Sequence, residues 1–253
     1  MMKVAVITGA SSGIGRSTAI EVARRGTGVI LTYGANADGG RETAAAIEKD
    51  GGTAVALPLD LGDTAGFPAF RGAVAAALRE VWDRDTFDHL VNNAGSAHMA
   101  SFEDTAEEDF DRLTRVLLKG PYFLTQTLLP LMADGGAVVH TSSSSATAAA
   151  PEPGYSAYAS LKGALNVLGR YMAKEFSGRG IRVNTVSPGP TRTRLGGDAF
   201  DRFPELVPPL VAKTALGRLG TPEDIAAVIA TLLSDDGRWI TAQNVEVSGG
   251  YAL

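Results

Sequence analysis

Tyr158 and Lys162 stand four residues apart in the stretch YSAYASLK, residues 155–162. On a helix that spacing makes them neighbours one turn apart, with Cβ atoms about 5–6 Å from each other. Tyr155 precedes Lys162 by seven residues, on the same face but two turns away. Only the nearer pair brings an ammonium close enough to act strongly on a phenol. A positive charge there favours the phenolate and would lower a pKa from about 10, giving a tyrosine that can act as acid or base near neutral pH. An ordinary surface pair on a helix has the same spacing, so the rest of the chain has to decide between the two.

A second candidate lies near the N-terminus. The apolar run KVAVIT (3–8) is followed directly by TGASSGIG, with Gly9, Gly13 and Gly15 at the expected strand-to-helix turn. Glycines there permit positive φ and let the backbone approach a pyrophosphate at a helix N-terminus. The spacing is G-x-x-x-G-x-G rather than G-x-G-x-x-G. A nucleotide-triphosphate loop is excluded, because Ala10 and Arg16 stand where that motif needs glycine and lysine. The chemistry expected of this loop is dinucleotide binding.

These residues need a scaffold, and the pattern supplies one. Short β-rich runs are expected at 3–8, 28–33, 53–59, 89–93, 136–142, 181–187 and 244–249. Helical patterns fall between them, at about 14–25, 39–50, 68–83, 106–132, 156–177 and 222–234. Runs such as VAVIT and GVIL are apolar throughout, as in strands covered on both faces. The alternation predicts an α/β fold, a single doubly wound parallel sheet over residues 1–253. Of the 253 residues 45% are hydrophobic and 20% charged, enough for a sizeable core and against bulk disorder. The net charge of −5 and the lack of a basic cluster exclude nucleic acid as an expected partner. Without cysteine there is no disulfide, thiolate metal site or thiol nucleophile. His89, His98 and His140 have no ligand-like spacing, so no metal is expected. The short apolar start and the lack of any 18-residue apolar stretch predict a cytoplasmic protein with no membrane association.

TGASSGIG (8–15), NNAG (92–95), YASLK (158–162), SPGPTRT (187–193) and VSGG (247–250) together resemble the classical short-chain dehydrogenase/reductase (SDR) family, in order and in spacing. The likeness covers essentially the whole chain, which is similar to members often called 3-oxoacyl-ACP-reductase-like. It implies a Rossmann-type domain with a seven-stranded parallel sheet. The implied function is hydride transfer between a nicotinamide cofactor and a small carbonyl or alcohol substrate. The resemblance makes Tyr158 the catalytic acid/base and Lys162 the residue that lowers its pKa and holds the nicotinamide ribose. Tyr155 becomes a pocket residue. A serine at the end of the fifth strand would donate to the carbonyl oxygen. Counting from the strand end gives Ser143, whereas the usual interval of thirteen residues back from Tyr158 gives Ser145. A two-residue loop insertion reconciles the counts in favour of Ser143, since strand register changes less readily than loop length.

The resemblance also implies the cofactor contacts: Gly9, Ser11, Ser12, Gly13, Ile14 and Gly15 on the pyrophosphate side, and Asp60 and Leu61 flanking the adenine. Asn92, Ala94 and Gly95 would line the ribose side, joined by Tyr158 and Lys162, with Pro188, Gly189 and Thr191 near the carboxamide. Asp60 could equally cap a helix. At the end of the second strand Thr32, Tyr33, Gly34, Ala35 and Asn36 offer no carboxylate for ribose hydroxyls, and Asp38 comes too late. With Tyr33 and Asn36 at that end and Arg41 within reach, the chain is expected to prefer NADP(H) over NAD(H). The segment 190–214 corresponds to the family's substrate lid. Asp134 in MADGG argues against an acyl-carrier-protein partner, although Arg179 is placed for one. The helix at 222–234 and the last strand correspond to surfaces that form a homotetramer in the family. One departure matters: Leu117 in VLLKG replaces an asparagine held to support a proton-relay water, and Lys119 points about 200° away around the helix. This departure leaves room for a second reading, a cofactor-binding sensor or interaction protein with little turnover. A third is a dehydratase or epimerase on the same fold.

Overall fold

The computed structural model describes residues 2–147 and 151–253. Seven strands form one sheet: β1 (Val4–Ile7), β2 (Gly28–Tyr33), β3 (Ala54–Pro58), β4 (Phe87–Asn92), β5 (Met132–Thr141), β6 (Arg182–Pro188) and β7 (Asn244–Val247). Their order is β3-β2-β1-β4-β5-β6-β7, and every pairing is parallel. Parallel neighbours need crossover connections, and helices supply them on both faces. On one face α1 (Gly13–Arg24), α2 (Ala37–Lys49) and α9 (Pro222–Leu233) pack through Ala19, Val22, Ile47 and Ile229. On the other lie α3 (Phe67–Trp82), α5 (Gly120–Leu128) and α6 (Ser156–Glu175), joined by Phe70, Val74, Leu124 and Met172. This is a single Rossmann-type domain. Strands β1 and β2 are buried along almost their whole length, which is why their sequences are continuously apolar.

From β1 the chain winds outward to β2 and β3, then returns to place β4 on the other side of β1. The carboxyl ends of β1 and β4 therefore flank a topological switch point, the crevice where such sheets bind ligands. The six-helix expectation holds in outline, with one substantial correction. The helix expected over 106–132 is broken into α4 (Glu107–Thr114), a turn of π-helix (Arg115–Lys119), α5 and a short 3₁₀ turn (Leu129–Leu131). Pro121 brings no N–H to the ladder, and just before it the Gly120 N–H reaches back five residues to the Arg115 carbonyl, so the regular spacing gives way there. Strand β5 begins at Met132, four residues before the expected start, because Met132 pairs with Phe87 across a register shift. Helices α7 (Leu195–Arg202) and α8 (Val207–Ala212) occupy the segment after β6. No described helix is long and apolar enough to cross a membrane.

Candidate active site

The glycine loop is built by close contact. Gly9 has φ +66°, and a Cβ on it would lie 2.7 Å from the Ala94 Cα. A Cβ on Gly15 would lie 2.3 Å from the Gly9 carbonyl oxygen and 2.5 Å from the Asn93 amide nitrogen. Only glycine fits at either place. The loop is braced from β2, where Thr32 Oγ1 accepts from the Gly9 N–H (3.2 Å), and from Asn93, whose amide donates to the Thr8 carbonyl (3.0 Å). Thr8 Oγ1 in turn accepts the backbone N–H groups of Asn93 (2.9 Å) and Ala94 (3.0 Å). The start of α1 is thus held open at the switch point, with Ser11, Ser12, Gly13 and Ile14 presenting the helix N-terminus. That is a cradle for a pyrophosphate.

Two site expectations change here. Asn92 does not face the cradle: it is 3% exposed, and its amide donates to Thr125 Oγ1 (3.0 Å) and lies 3.3 Å from His140 Nδ1. Successive strand residues point to opposite faces, so Asn93, one residue later, is the one that reaches the loop. Motif spacing alone does not single out Thr8 or Asn93. Asp60 is no helix cap. Its carboxylate accepts the Gly62 N–H (2.8 Å) within a turn, while Asp63 caps the following 3₁₀ turn. Leu61 beside it is buried in the core.

At the end of β2, Tyr33 packs over Gly40, and the Asn36 side chain accepts from the Gly39 N–H (3.1 Å), capping α2. A Cβ on Gly39 would meet the Ser11 carbonyl at 2.5 Å, so the α2 N-terminus sits against the glycine loop. Arg41 is turned to Asp38 on the exposed first turn of α2.

The second half of the site is set by α6. Tyr158, Leu161, Lys162, Leu165, Gly169 and Met172 are its buried stripe, at the spacing of one helix face. Gly169 allows the close approach to β6, since a Cβ there would lie 2.8 Å from Thr185 Oγ1. Tyr158 and Lys162 consequently point inward, 8% and 5% exposed, at the carboxyl end of β5. Lys162 Nζ donates to the Thr141 carbonyl at 2.7 Å and lies 5.8 Å from the Tyr158 ring centroid. Ser142 Oγ donates to the Lys162 carbonyl at 2.7 Å, locking strand end to helix. Ser143 is the side chain that acts to lower the Tyr158 pKa, and its hydroxyl donates to Ser145 Oγ at 3.2 Å. Of the two serines, Ser143 is the one that bears on the Tyr158 phenol.

The electrostatics differ from the expectation in one respect. Helical spacing predicts that Lys162 lowers the Tyr158 pKa. Instead burial pushes Tyr158 up to about 12, against a smaller lowering by the Ser143 hydrogen bond. The ammonium is directed to Thr141 rather than to the phenol, and desolvation acts without that compensation. Burial likewise pulls Lys162 down to about 8. Tyr155 stands edge-on to Tyr158, ring centroids 6.4 Å apart, and burial raises its pKa too.

Leu117 lies in the π-helical turn, 1% exposed, in a cluster with Leu113, Tyr158 and Leu161. A Cβ on Gly95 would touch Leu117 Cδ2 at 3.3 Å and Lys162 Nζ at 3.7 Å, so Leu117 closes the apolar side of the lysine pocket. The far wall is β6 with the loop at its carboxyl end. Gly189 lies against Ser248, its Cβ position 2.6 Å from that Cα. Thr191 donates to the Gly189 carbonyl (2.8 Å) and bridges to Gly220. Pro188, Gly189 and Thr191 therefore converge with the glycine loop, where Gly13 approaches Thr193. A separate cavity of about 150 Å³ opens at the amino ends of the strands, among Lys3, Arg25, His89 and Asp235. Its cations are tied to Asp235 and Glu21, and it shares no residue with this site.

Comparison with known proteins agrees with this geometry. Residues 9–252 match the family model described as enoyl-(acyl carrier protein) reductase. An uncharacterized oxidoreductase of Methylorubrum extorquens is 38% identical over 248 residues, covering 98% of this chain and 97% of its own. Among solved structures, the promiscuous reductase LugOII, which catalyses keto-reduction at C1 during lugdunomycin biosynthesis, superposes with TM-score 0.93 at 37% identity, over 99% of this chain and 98% of its own. The angucycline C-6 ketoreductase LanV with bound NADP superposes with TM-score 0.92 at 36% identity, over 99% and 95%. The chain belongs to the classical short-chain dehydrogenase/reductase family and is an oxidoreductase acting on CH–OH and C=O groups.

Proposed function

We propose that this protein is an NADP(H)-dependent carbonyl reductase or alcohol dehydrogenase with Tyr158 as its acid/base. The observation that carries the reading is the meeting of Ser143, Tyr158 and Lys162 at the mouth of a glycine-lined dinucleotide cradle. The cradle fits the cofactor: Gly9 and Gly15 leave no room for side chains, and the α1 N-terminus offers backbone donors to phosphate. Gly9 to Gly15 would hold the pyrophosphate, Tyr33 and Asn36 the adenosine ribose, and Asp60 and Leu61 the adenine. Ala94, Gly95, Pro188, Gly189 and Thr191 would enclose the nicotinamide end. No carboxylate ends β2, and Asp38 is held by Arg41, so nothing there repels a 2′-phosphate. NADP bound to the 36% identical LanV supports the same choice.

The cofactor supplies the hydride. Ser143 and Tyr158 donate hydrogen bonds to the carbonyl oxygen, where negative charge develops, and such donors act most in the transition state. Tyr158 gives its proton to that oxygen in reduction and takes it back in oxidation. Lys162 holds a positive charge beside the phenolate so formed. Leu117 excludes water from one side of the lysine, the Thr141 carbonyl accepts from its ammonium, and Ser142 Oγ holds its backbone carbonyl.

Residues 190–214, with α7 and α8, form the lid over the substrate. The acyl-carrier-protein subtype is disfavoured, because Arg179 is paired with Asp134 at 2.7 Å and bonded to the Leu129 and Met132 carbonyls. A homotetramer assembled through α9 and the edge strand β7 is supported by the position of β7 at the end of the sheet and by Trp239 beside it, 96% exposed. Cytoplasmic location accords with the lack of any membrane-spanning helix among the described residues. The test is NADPH and NADH consumption over a panel of ketones and aldehydes, with Tyr158→Phe as control. Turnover that disappears in the variant supports the reading. NADPH binding without turnover on any carbonyl would favour the sensor reading instead.

A further inference from the structure

Gly249 and Gly250, the two glycines of VSGG (247–250), take no part in the site described above, yet their backbones are left-handed, with φ +65° and +72°. They turn the chain back after β7 and lay residues 249–252 antiparallel against residues 213–216. The Ala252 N–H donates to the Lys213 carbonyl (2.9 Å), the Leu216 N–H to the Gly249 carbonyl (3.0 Å) and the Ala215 N–H to the Gly250 carbonyl (3.2 Å), around a Thr214–Tyr251 bridge. A Cβ on Gly250 would lie 2.8 Å from the Ala215 Cβ, so glycine is what lets the two stretches close. Ser248 Oγ accepts the Tyr251 N–H (3.3 Å) and donates to Glu246 of β7 (2.7 Å), which fixes the turn to the sheet.

Residues 213–216 are the second stem of the excursion that leaves β6, and the two stems are held differently. At the first, the Arg192 N–H donates to the Gly220 carbonyl and the Gly220 N–H to the Pro190 carbonyl, both at 2.9 Å. Gly220 directly precedes the capping box of Thr221 and Asp224 that starts α9, so this stem is fastened to a helix of the body. The second stem lies on residues 249–252 and makes one further tie, the Lys213 ammonium on the Glu152 carboxylate. Glu152 stands three residues before Tyr155, in the loop that leads into α6. Lys213 therefore joins three segments, with its carbonyl on the strap after β7 and its ammonium on the approach to the helix that carries Tyr158. Thr214 Oγ1 donates to the Leu210 carbonyl (2.8 Å), so the last turn of α8 follows the stem.

We propose that residues 249–252 are the strap on which the lid closes, and that Lys213 is the positioning residue that sets the lid against the loop before α6. The inference rests on the reductase reading, in which residues 190–214 cover the substrate. Lys213 acts on the fit of the lid and not on the proton or the hydride, so its loss appears in KM rather than in kcat. The Lys213–Glu152 pair is about half exposed, which limits its worth and leaves it open to screening by salt.

The test is steady-state kinetics with NADPH and the panel ketone turned over fastest, joined to amide hydrogen exchange on the same proteins. Lys213→Ala should raise the KM for the ketone by about three- to fivefold with kcat held, the upper end for an exposed ion pair. Lys213→Glu, which sets like charges together, should raise it further, and adding Glu152→Lys should return it to near the parent value. The gap between parent and Lys213→Ala should close in about 0.5 M salt. Gly250→Ala forces a side chain into a left-handed backbone against Ala215, so exchange at residues 214–216 should quicken by about tenfold while β6 and α9 keep their protection. A parent-like KM in both Lys213 variants, a charge swap no better than Lys213→Glu, or parent-like exchange at 214–216 in Gly250→Ala would each overturn the inference and leave the reductase reading in place. No NADPH consumption by the parent with any ketone would overturn both.

Discussion

Lys162 should make the protein less stable than it could be. Its ammonium is 5% exposed, has the Thr141 carbonyl as its hydrogen-bond partner, and is pulled by burial from 10.5 to about 8. The distance between those values corresponds to about 3 kcal/mol, the cost of keeping the charge out of water. Lys162→Met removes the charge and keeps the length of the side chain. It also strands the Thr141 carbonyl, a loss of about 1 kcal/mol. The variant should therefore be more stable than the parent by about 2 kcal/mol at pH 7, a rise in Tm of roughly 4–8 °C for a chain of this size, while losing activity. The sign with pH is fixed. Because the folded pKa lies below the unfolded one, the cost is fully present below pH 8. It fades between about pH 8 and 10.5, where the unfolded chain binds the extra proton. Thermal and urea melts of the cofactor-free proteins at pH 7 and pH 10 would read this directly. A variant that is less stable at pH 7, or a gap that does not shrink at pH 10, would refute the claim that the site holds a costly buried charge.

Other consequences are simpler to check. Ser143→Ala removes the hydroxyl that bears on Tyr158 and should lower kcat by about 10²–10³-fold, the cost of one donor to a developing oxyanion. Ser145→Ala should cost only a few-fold, and steady-state kinetics on both variants separates the two serines. Leu117→Asn buries an amide among Leu113, Leu161 and the Tyr158 ring, so it should destabilise by about 2 kcal/mol and bring no gain in turnover; a more active, equally stable variant would show that the missing relay matters. His89 and His140 are both held at about 4 by burial. Their folded pKa values lie below the unfolded value of 6.5, so stability is intact above pH 6.5 and falls as pH drops toward 4. His140→Gln should make that fall less steep in denaturant midpoints measured across the window.

The seven strands and the glycine loop were legible because each rests on a strong local signal. Continuous apolar runs mark buried parallel strands, and Gly9 and Gly15 occupy points where no Cβ fits. Helical spacing made Tyr158 and Lys162 legible as neighbours, and the other motifs around them gave the pair its catalytic reading. What spacing cannot carry is environment. The four-residue interval says that the ammonium and the phenol are neighbours, but the burial that raises one pKa and lowers the other depends on α6 lying flat against β6. The serine run was ambiguous for a related reason, since loop length between Ser142 and Tyr158 is not encoded in any periodicity. Asn92 and Asn93 differ only in which face of β4 they take, and that is fixed by the strand's end, which sequence locates poorly. The π-helical break at Arg115–Lys119 had one available sign, Pro121, in the middle of a pattern otherwise read as continuous helix.

The central claim, that this site passes a hydride from NADPH to a carbonyl under control of Tyr158, is tested most directly by isotope transfer. NADPH deuterated at C4 of the nicotinamide would be incubated with a cyclic ketone, and the product alcohol examined by mass spectrometry. One deuterium at the carbinol carbon is expected with the parent enzyme and none above background with Tyr158→Phe. Deuterium transfer that persists in Tyr158→Phe at the parent rate, or NADPH binding with no label transferred by the parent to any ketone, would contradict it.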